Sequence, residues 1–479
     1  MESTGNKFGL LDGSLFQRRP PNLPRRTGEH AQAELTEIQG NVLRGYSHPH
    51  AAYIFLRVDD VARAKAFLAR MLPRITSGES WGFKPPATAI QVAFTYAGLQ
   101  RIGVAPDVLA SFPEEFREGM AARAESLGDR GSNAPQHWES GLGTGEAHAL
   151  ITVWAVDNEH LERLREELRQ AGAAAGATTV INETRAEALP EGRDHFGFFD
   201  GISQPAVHGN GTRGRPGDGQ PDGAGGWRDV ALGEFLLGYR DEDGAPPVAP
   251  AVPFDRNGTF MVYRKLHTDV AAFRRMIDEG GRRYPGGPEL LAAKIVGRWR
   301  DGTPLSASPD APSADITSDP SRINNFGYAD DPAGLRCPVG AHIRRAHPRD
   351  AKGFFGGLLT NRHRIIRRGR TYGPSLAEGL MEDDGAERGL VFVCFNASIW
   401  RQFETIQRLW IDDGDPFGLG ADKDVLIGCP AGPRSKMTIP GNPPFFVSPH
   451  PQLVTLRGGE YLYQPSISAL RSLTAGAGA

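Results

Sequence analysis

One carboxylate stands in an unusual setting in the stretch HFGFFDGISQP, residues 195–205. Asp200 follows three phenylalanines, and an apolar environment raises the proton affinity of a carboxylate, which suits proton transfer near neutral pH. Gly197 and Gly201 flank it and would let the backbone approach a flat ligand closely. Because Asp–Gly is also a common turn pair, the alternative is a helix N-cap or a tight turn without chemistry.

A second stretch with chemical potential is CPVGAHIRRAHPRD, residues 337–350. His342 lies between small or apolar neighbours, and a neutral imidazole is the common protein ligand of haem iron. Arg344 and Arg345 follow, and guanidinium groups pair bidentately with carboxylates such as haem propionates. His347, in a more polar context, is the rival ligand. A core histidine or a solvated basic turn remains the alternative.

The third stretch, NRHRIIRRGRTYGP over residues 361–374, holds a cluster of arginines and reads as a strand that enters a turn. Alternation along a strand would place Arg367 and Arg368 on opposite faces, so one could face a buried cofactor and the other solvent. Nucleic-acid binding is the alternative. It is weakly supported, because no stacking aromatics are interleaved and the net charge is −3, from 54 basic and 57 acidic residues.

Composition bounds the class of protein. The 479 residues suit two domains or one doubled domain, and 39% hydrophobic residues suffice for a packed core. Cys337, Cys394 and Cys429 are far apart and form no CxxC pair, which argues against a cysteine zinc site and against covalent haem attachment. With no signal-peptide or membrane-spanning run, we expect a cytoplasmic protein, and non-classical export stays open.

The elements that must position these residues follow from periodicity. Residues 1–34 are predicted to be a flexible leader. Residues 35–208 show a β-α-β-β-α-β order, which is the ferredoxin-like pattern, with Leu161, Leu164 and Leu168 on one helical stripe. The predicted strands are 52–58, 89–96, 149–156 and 177–185, and the helices are 61–72 and 159–173.

The second half, 227–470, repeats the pattern loosely. Strands are predicted over 258–266, 389–397 and around 452–465, with helices over 269–280 and 399–410. A long insertion over 300–388 is poor in regular patterns, and such segments tend to be functional. Between the halves, residues 209–226 are predicted to be a flexible Gly-rich loop, and residues 471–479 a flexible tail. The fold class is therefore α+β, with two antiparallel ferredoxin-like halves.

These stretches, taken in order, resemble the motifs of the dye-decolorizing peroxidases, a family of haem enzymes. The family's G-x-x-D-G motif matches Gly197–Gly201, its proximal histidine in an AHIR context matches His342, and its distal arginine ahead of YG matches Arg367. The similarity extends over residues 35–465 and includes EIQGNVLRGY (37–46), FREGMAARAESLGD (116–129) and FNASIWRQFETIQ (395–407). The length resembles the longer subgroups of the family.

The resemblance implies haem b between the two halves and a role for each motif residue. His342 would be the axial ligand of the iron, and Asp200 and Arg367 would be catalytic on the opposite side. Asn396 is the expected acceptor for the second ring nitrogen of His342. The other implied cofactor contacts are Phe199, Gly201, Ile202 and Arg344.

The implied reaction uses hydrogen peroxide to oxidise dyes, phenols and other one-electron donors through a ferryl radical intermediate. Bulky dyes would need surface tyrosines or tryptophans as electron relays, whereas Trp400 and Trp410 lie on an apolar helical stripe that predicts core positions. No nucleic acid and no membrane partner is expected, and the protein would be a monomer or a homo-oligomer. The alternative is a haem-handling protein with little peroxidase turnover.

Overall fold

The computed structural model describes most of the chain. The described residues are 32–82, 84–211, 214–222, 226–351, 353, 357–430, 432, 435–448 and 451–475. Most of the predicted leader, parts of the Gly-rich segment and the last four residues of the predicted tail lie outside them.

Strands and helices are distributed along the whole of the described chain. The strands are β1 (His50–Val58), β2 (Thr88–Phe94), β3 (Ala149–Ala155), β4 (Thr178–Glu187), β5 (Gln220–Pro221), β6 (Trp227–Arg228), β7 (Thr259–Thr268), β8 (Ile366–Arg367), β9 (Arg370–Tyr372), β10 (Gly389–Asn396), β11 (Met437–Ile439), β12 (Phe445–Val447) and β13 (Val454–Gln464). The α-helices are α1 (Val61–Met71), α2 (Tyr96–Arg101), α3 (Pro106–Ala110), α4 (Glu114–Glu118), α5 (Asn158–Ala174), α6 (Val270–Gly281), α7 (Gly287–Val296), α8 (Ala314–Thr317), α9 (His342–Ala346), α10 (Leu358–Arg362) and α11 (Ile467–Thr474). Two π-helical segments span Trp400–Glu404 and Ile406–Ile411.

Local chemistry explains where the three long helices start. The side chains of Asp60, Asp157 and Asp269 each accept a hydrogen bond from a backbone N–H in the first turn of α1, α5 and α6. Helix α5 buries the stripe Leu161, Leu164 and Leu168, as its periodicity predicts.

The strand order repeats in the two halves. The first half has the order β4-β1-β3-β2, and the second has β13-β7-β10-β8, with β9 also paired to β10. Numbered within each half, both orders are 4-1-3-2 with antiparallel neighbours, so the predicted pair of ferredoxin-like halves is confirmed. The two halves form one nine-stranded sheet rather than two separate sheets, because Tyr463 of β13 pairs with Phe94 of β2.

The sheet is buried on both faces in the first half. Along β1, Ala52, Ile54 and Leu56 belong to one buried cluster, which also contains Phe67 of α1. The alternate residues, such as Phe55, belong to a second buried cluster on the other face. This double burial explains why β1 reads as a nearly continuous apolar run.

Two of the predicted segments differ from expectation. In the described part of 209–226, Asp218 and Gln220 are buried and β5 pairs with β6, so this segment is not a simple surface loop. Helix α11 continues to Thr474, so residues 471–474 belong to a helix rather than to a tail. In the described part of 300–388 the helices and strands are all short, namely α8, α9, α10, β8 and β9. No helix in the described ranges has the length and apolarity that crossing a membrane requires.

Candidate active site

The three motif residues line one cavity of about 330 Å³, which we call the first cavity. It lies among the loop after β4, helix α9, the segment before β8, strand β10 and the π-helical segments. Asp200, His342 and Arg367 all line it, although Asp200 and His342 are 142 positions apart along the chain. The apolar part of its wall includes Phe198, Ile202, Ile343, Phe392, Ile406 and Leu426.

Asp200 is presented by a turn that its neighbouring glycines allow. Gly197 and Gly201 have φ values of 90° and 79°, in the region that favours glycine. The backbone N–H of Asp200 donates to the carbonyl of Gly192 at 3.0 Å, and its Oδ1 accepts from the N–H of Gly201 at 2.6 Å. The side chain is 52% exposed, so it is free to exchange protons with a ligand or with water. The turn geometry therefore leaves the carboxylate of Asp200 exposed to the first cavity.

Arg367 faces Asp200 across the cavity wall. Its Nη1 lies 3.5 Å from Asp200 Oδ1, and its Nη2 donates to the carbonyl of Ser203 at 3.1 Å. Gln204 fixes the backbone of Arg367 from both sides, because its amide donates to the carbonyl and accepts from the N–H, each at 3.0 Å. Arg368 points away from the first cavity, as the predicted alternation requires, but it donates to the carbonyls of Asn41 and Val42 instead of facing solvent.

His342 begins helix α9, and its ring is oriented by a buried carboxylate. Nδ1 of His342 lies 2.9 Å from Oδ2 of Asp424, whose side chain is fully buried. The N–H groups of Leu426 and Ile427 hold the other carboxylate oxygen of Asp424, each at 2.9 Å. Nδ1 is therefore the donor, and Nε2 is left without a hydrogen-bond partner among the described residues.

The prediction that Asn396 accepts the hydrogen bond from the His342 ring is wrong. Its side chain is completely buried on β10, and its nearest polar contact is the Sγ of Cys394 at 4.0 Å. The carboxylate of Asp424 takes that place instead. Asp424 belongs to an irregular loop, so neither periodicity nor a local motif marked it.

His342 and Asp424 shift each other's pKa. Burial by itself lowers the pKa of His342, but the charge of Asp424 and the hydrogen bond to it more than compensate, so that the pKa is raised. Burial raises the pKa of Asp424, yet the charge of His342, the hydrogen bond to it and the backbone N–H of Ile427 lower it overall. The imidazole therefore faces an ionised carboxylate, which makes it a stronger electron donor toward a metal.

The two arginines after His342 do not bind a cofactor in the expected way. Arg344 is not among the residues that line the first cavity, because its guanidinium is buried against Asp331 and the carbonyl of Cys337. Arg345 is also fully buried and turns toward the loop that carries Asp424. It donates to the carbonyls of Trp410, Asp413 and Asp422 at 2.9, 2.9 and 2.6 Å.

The other predicted cofactor contacts differ in whether they line the first cavity. Phe199 and Ile202 line the first cavity, and Gly201 is not among the lining residues. His347 also lines the first cavity, but its ring has no carboxylate partner among the described residues, whereas Nδ1 of His342 is held by Asp424. Trp410 is buried, as predicted, and it also lines the first cavity. Trp400 is 52% exposed, so its predicted core position is wrong.

Three further arginines line the first cavity and were not predicted as a group. Arg298, Arg349 and Arg364 are buried and donate mainly to backbone carbonyls or to the amide oxygen of Asn324. None of the three forms an ion pair with a carboxylate of a described residue. Burial lowers the pKa of both Arg298 and Arg364 to about 9. Arg349 and Arg364 lie in the two arginine-containing stretches 337–350 and 361–374 described above. No sequence pattern distinguished Arg298.

This donor set fits a dianionic haem. A free imidazole nitrogen, apolar side chains and buried guanidinium groups without carboxylate partners are the groups that a metal, a porphyrin ring and two propionates require. Buried unpaired charge is costly, so a ligand of opposite charge would stabilise this wall.

Comparisons with known proteins agree with this geometry. A family model described as "DyP dimeric alpha+beta barrel domain" matches residues 37–188. Peroxidase 2 of Mycetinis scorodonius is 31% identical over 470 residues, which cover 91% of this chain and 87% of that protein. The chain belongs to the dye-decolorizing peroxidase family. A bacterial member, the multifunctional dye peroxidase DyP2 of Amycolatopsis sp., is 30% identical and covers 93% of this chain and 97% of its own length.

Solved dye-decolorizing peroxidases share the fold. The crystal structure of a fungal DyP-type peroxidase from Auricularia auricula-judae superposes with a TM-score of 0.81 at 26% identity, covering 93% of this chain and all of that one. An ancestral D-type dye-decolorizing peroxidase gives a TM-score of 0.80 at 30% identity with the same coverage. This dye-decolorizing peroxidase is therefore a peroxidase enzyme, and the family it belongs to depends on haem.

Proposed function

We propose that the protein is a haem b peroxidase that uses hydrogen peroxide to oxidise dyes, phenols and other one-electron donors. The observation that carries the proposal is the convergence of an oriented imidazole, a carboxylate and a guanidinium on one cavity. His342, Asp200 and Arg367 come from three separate segments and have no shared structural task that would explain their meeting.

His342 would bind the iron through Nε2, because Asp424 occupies Nδ1. The guanidinium groups of Arg298, Arg349 and Arg364 would hold the propionates, in the place where Arg344 was expected. Haem supplies the metal at which peroxide binds and the electronic levels that store its two oxidising equivalents.

Asp200 and Arg367 would share the work of peroxide cleavage. The half-exposed carboxylate of Asp200 takes a proton from one peroxide oxygen and delivers it to the other, directly or through water. The guanidinium of Arg367, 3.5 Å away, stabilises the negative charge that develops as the O–O bond breaks. The hydrogen bond to Ser203 and the clamp by Gln204 keep that guanidinium in place, so little reorganisation is needed during the step.

A haem-handling protein with little turnover is the alternative. Such a carrier needs the imidazole and the arginines that hold carboxylates, but it needs no acid–base pair. The Asp200–Arg367 pair favours the peroxidase.

The test is a spectrum of the haem-reconstituted protein before and after one equivalent of hydrogen peroxide. We expect a Soret band, a rapid change of that band with peroxide, and oxidation of guaiacol and an anthraquinone dye. His342→Ala is the control and should lose haem or change its coordination. Absence of a Soret band overturns the proposal, and a Soret band that peroxide leaves unchanged favours the carrier.

A further inference from the structure

Asn324 lies behind the wall of the first cavity and contacts two of its arginines. It is fully buried, and it is not among the residues that line the cavity. Its side-chain oxygen accepts from Nη2 of Arg298 at 3.0 Å and from Nη2 of Arg349 at 2.5 Å. Because guanidinium nitrogens only donate, the atom that faces them is the oxygen of the amide. One neutral acceptor therefore holds two cations together.

These two arginines, which we call the arginine clamp, are fixed from several sides. The guanidinium carbon of Arg349 lies 3.9 Å from the ring centre of Phe326, and that of Arg298 lies 5.1 Å from it. Nη1 of each arginine donates to backbone carbonyls. All these partners are neutral, so they orient the clamp without reducing its positive charge.

A carboxylate stands one hydrogen bond away, on the other side of the same amide. Nδ2 of Asn324 donates to Oδ1 of Asp218 at 2.7 Å and to the carbonyl of Gly217 at 3.2 Å. Asp218 belongs to the Gly-rich segment and is buried, and its Oδ2 pairs with Nε of Arg215 at 3.2 Å. The amide therefore separates the arginine clamp from a carboxylate that could neutralise it.

Holding two guanidinium groups on one neutral oxygen has an electrostatic cost. Burial, followed by the charge of Arg349, lowers the pKa of Arg298 to about 9. Buried cations without a counter-ion are stabilised by an anionic ligand. The clamp therefore gains most from a ligand that brings carboxylates, and it would gain least if the protein supplied a carboxylate of its own at position 324.

We propose that Asn324 is a positioning residue that directs Arg298 and Arg349 toward the carboxylates of the cofactor and leaves both charges available. An amide suits this task because it fixes the guanidinium groups by hydrogen bonds without adding negative charge. An aspartate of the same shape would form ion pairs with the clamp and compete with the ligand. This inference rests on the proposed function, because it assigns the clamp to the propionates of haem.

The experiment exchanges the two polar side chains in the double variant N324D/D218N. The exchange keeps the total charge, the shape of both side chains and a hydrogen bond between them, but it moves the negative charge onto the arginine clamp. Holoprotein is prepared with haem and, separately, with the dimethyl ester of haem, which lacks the propionate charges. The readout is the rate of cofactor release to excess apomyoglobin, and the ratio of the ester rate to the haem rate isolates the contribution of the propionates.

We expect the wild type to release the ester about 10- to 100-fold faster than haem, the value of charge-assisted hydrogen bonds. The double variant should lose most of that difference, while its Tm stays near the wild-type value or rises, because two buried cations gain a counter-ion. A merely structural role predicts the opposite result, a lower Tm and an unchanged ratio. D218N alone leaves the amide at position 324 and should keep the wild-type ratio.

Asn324→Ala provides a second test if the double variant does not fold. It removes the shared acceptor, so its ratio should fall about three- to tenfold. A wild-type ratio in either folded variant overturns the role of Asn324, and so does equal release of haem and ester by the wild type. A wild type that prefers haem to the ester but does not react with peroxide contradicts only the proposed peroxidase function.

Discussion

Asp424, a fully buried carboxylate, accepts a hydrogen bond from Nδ1 of His342 across 2.9 Å. Two backbone N–H groups fix the carboxylate, so the imidazole cannot rotate without losing a charged partner. This relationship determines which ring nitrogen is available and how basic it is.

Asp424→Asn should weaken that effect while keeping the shape of the side chain. We expect about a 10- to 100-fold loss in haem affinity or peroxide reactivity, and a higher reduction potential, because an amide donates less electron density through the imidazole. Spectroelectrochemistry of the reconstituted variant measures the potential. An unchanged potential would show that the carboxylate is only a spacer.

Arg345 should act on the same pair from a distance. Its guanidinium joins α9 to the carbonyls of Trp410, Asp413 and Asp422, two residues before Asp424. Arg345→Leu removes hydrogen bonds worth about 1.5–3 kcal/mol each, so we expect a lower Tm and a shift in potential in the direction of Asp424→Asn. A lower Tm with an unchanged potential would restrict Arg345 to a structural role.

Asp200→Asn and Arg367→Leu should bind haem and react slowly with peroxide. Loss of the acid–base group is expected to cost about 10²–10⁴-fold, and loss of the guanidinium about 10²–10³-fold. Stopped-flow absorbance after mixing with peroxide gives both rates, and Arg282→Leu, at the exposed residue that follows α6, serves as the control. Wild-type rates in both distal variants would contradict the assignment.

Trp400 is the candidate relay for bulky dyes. Its indole is half-exposed, and it begins the π-helical run whose later residue Trp410 lines the first cavity. Trp400→Phe should lower the rate of anthraquinone-dye oxidation and leave guaiacol oxidation near the wild-type rate, since only bulky dyes are expected to need a surface relay. Equal losses on both substrates would argue against a surface relay. The comparison is made from steady-state kcat values.

Glu460 should make stability depend on pH. It is buried on β13, and burial raises its pKa from 4.5 to about 8, partly offset by a hydrogen bond from the N–H of Gly143. Because the folded protein holds this proton more tightly than the unfolded chain, its stabilising effect is complete below about pH 4.5 and is lost as pH rises through 8.

Glu460→Gln should therefore raise Tm relative to the wild type at pH 9 and change it little at pH 4. Thermal unfolding across that range measures the effect, and Glu125→Gln, at an exposed site, is the control. A parallel pair of Tm profiles for E460Q and the wild type would disprove the role of this carboxyl.

Local patterns were enough to predict much of this structure. The helical stripe of α5 and the alternation of Arg367 and Arg368 depend only on spacing, and both are found. Motif contexts were enough to bring Asp200, His342 and Arg367 to one cavity. The contributions of Asp424 and Arg298 to the site could not be predicted. Their positions depend on irregular segments and on packing between residues that are distant in the sequence. Arg344 points away from the first cavity because its guanidinium forms an ion pair with the buried carboxylate of Asp331.

The two halves share a strand order, but the strands and helices of the first half, residues 50–187, contribute little to the first cavity, whereas the loop after β4 contributes Asp200. Apart from Asn133, every described residue that lines the first cavity comes from position 194 onward. The repeat formed by β1 to β4 is therefore mainly a structural support. It is joined to the sheet of the second half through the pairing of Phe94 with Tyr463. Chimeras that exchange this repeat between relatives should keep the redox properties of the parent that supplies the rest of the chain. Substitutions in residues 50–187 should be limited only by packing.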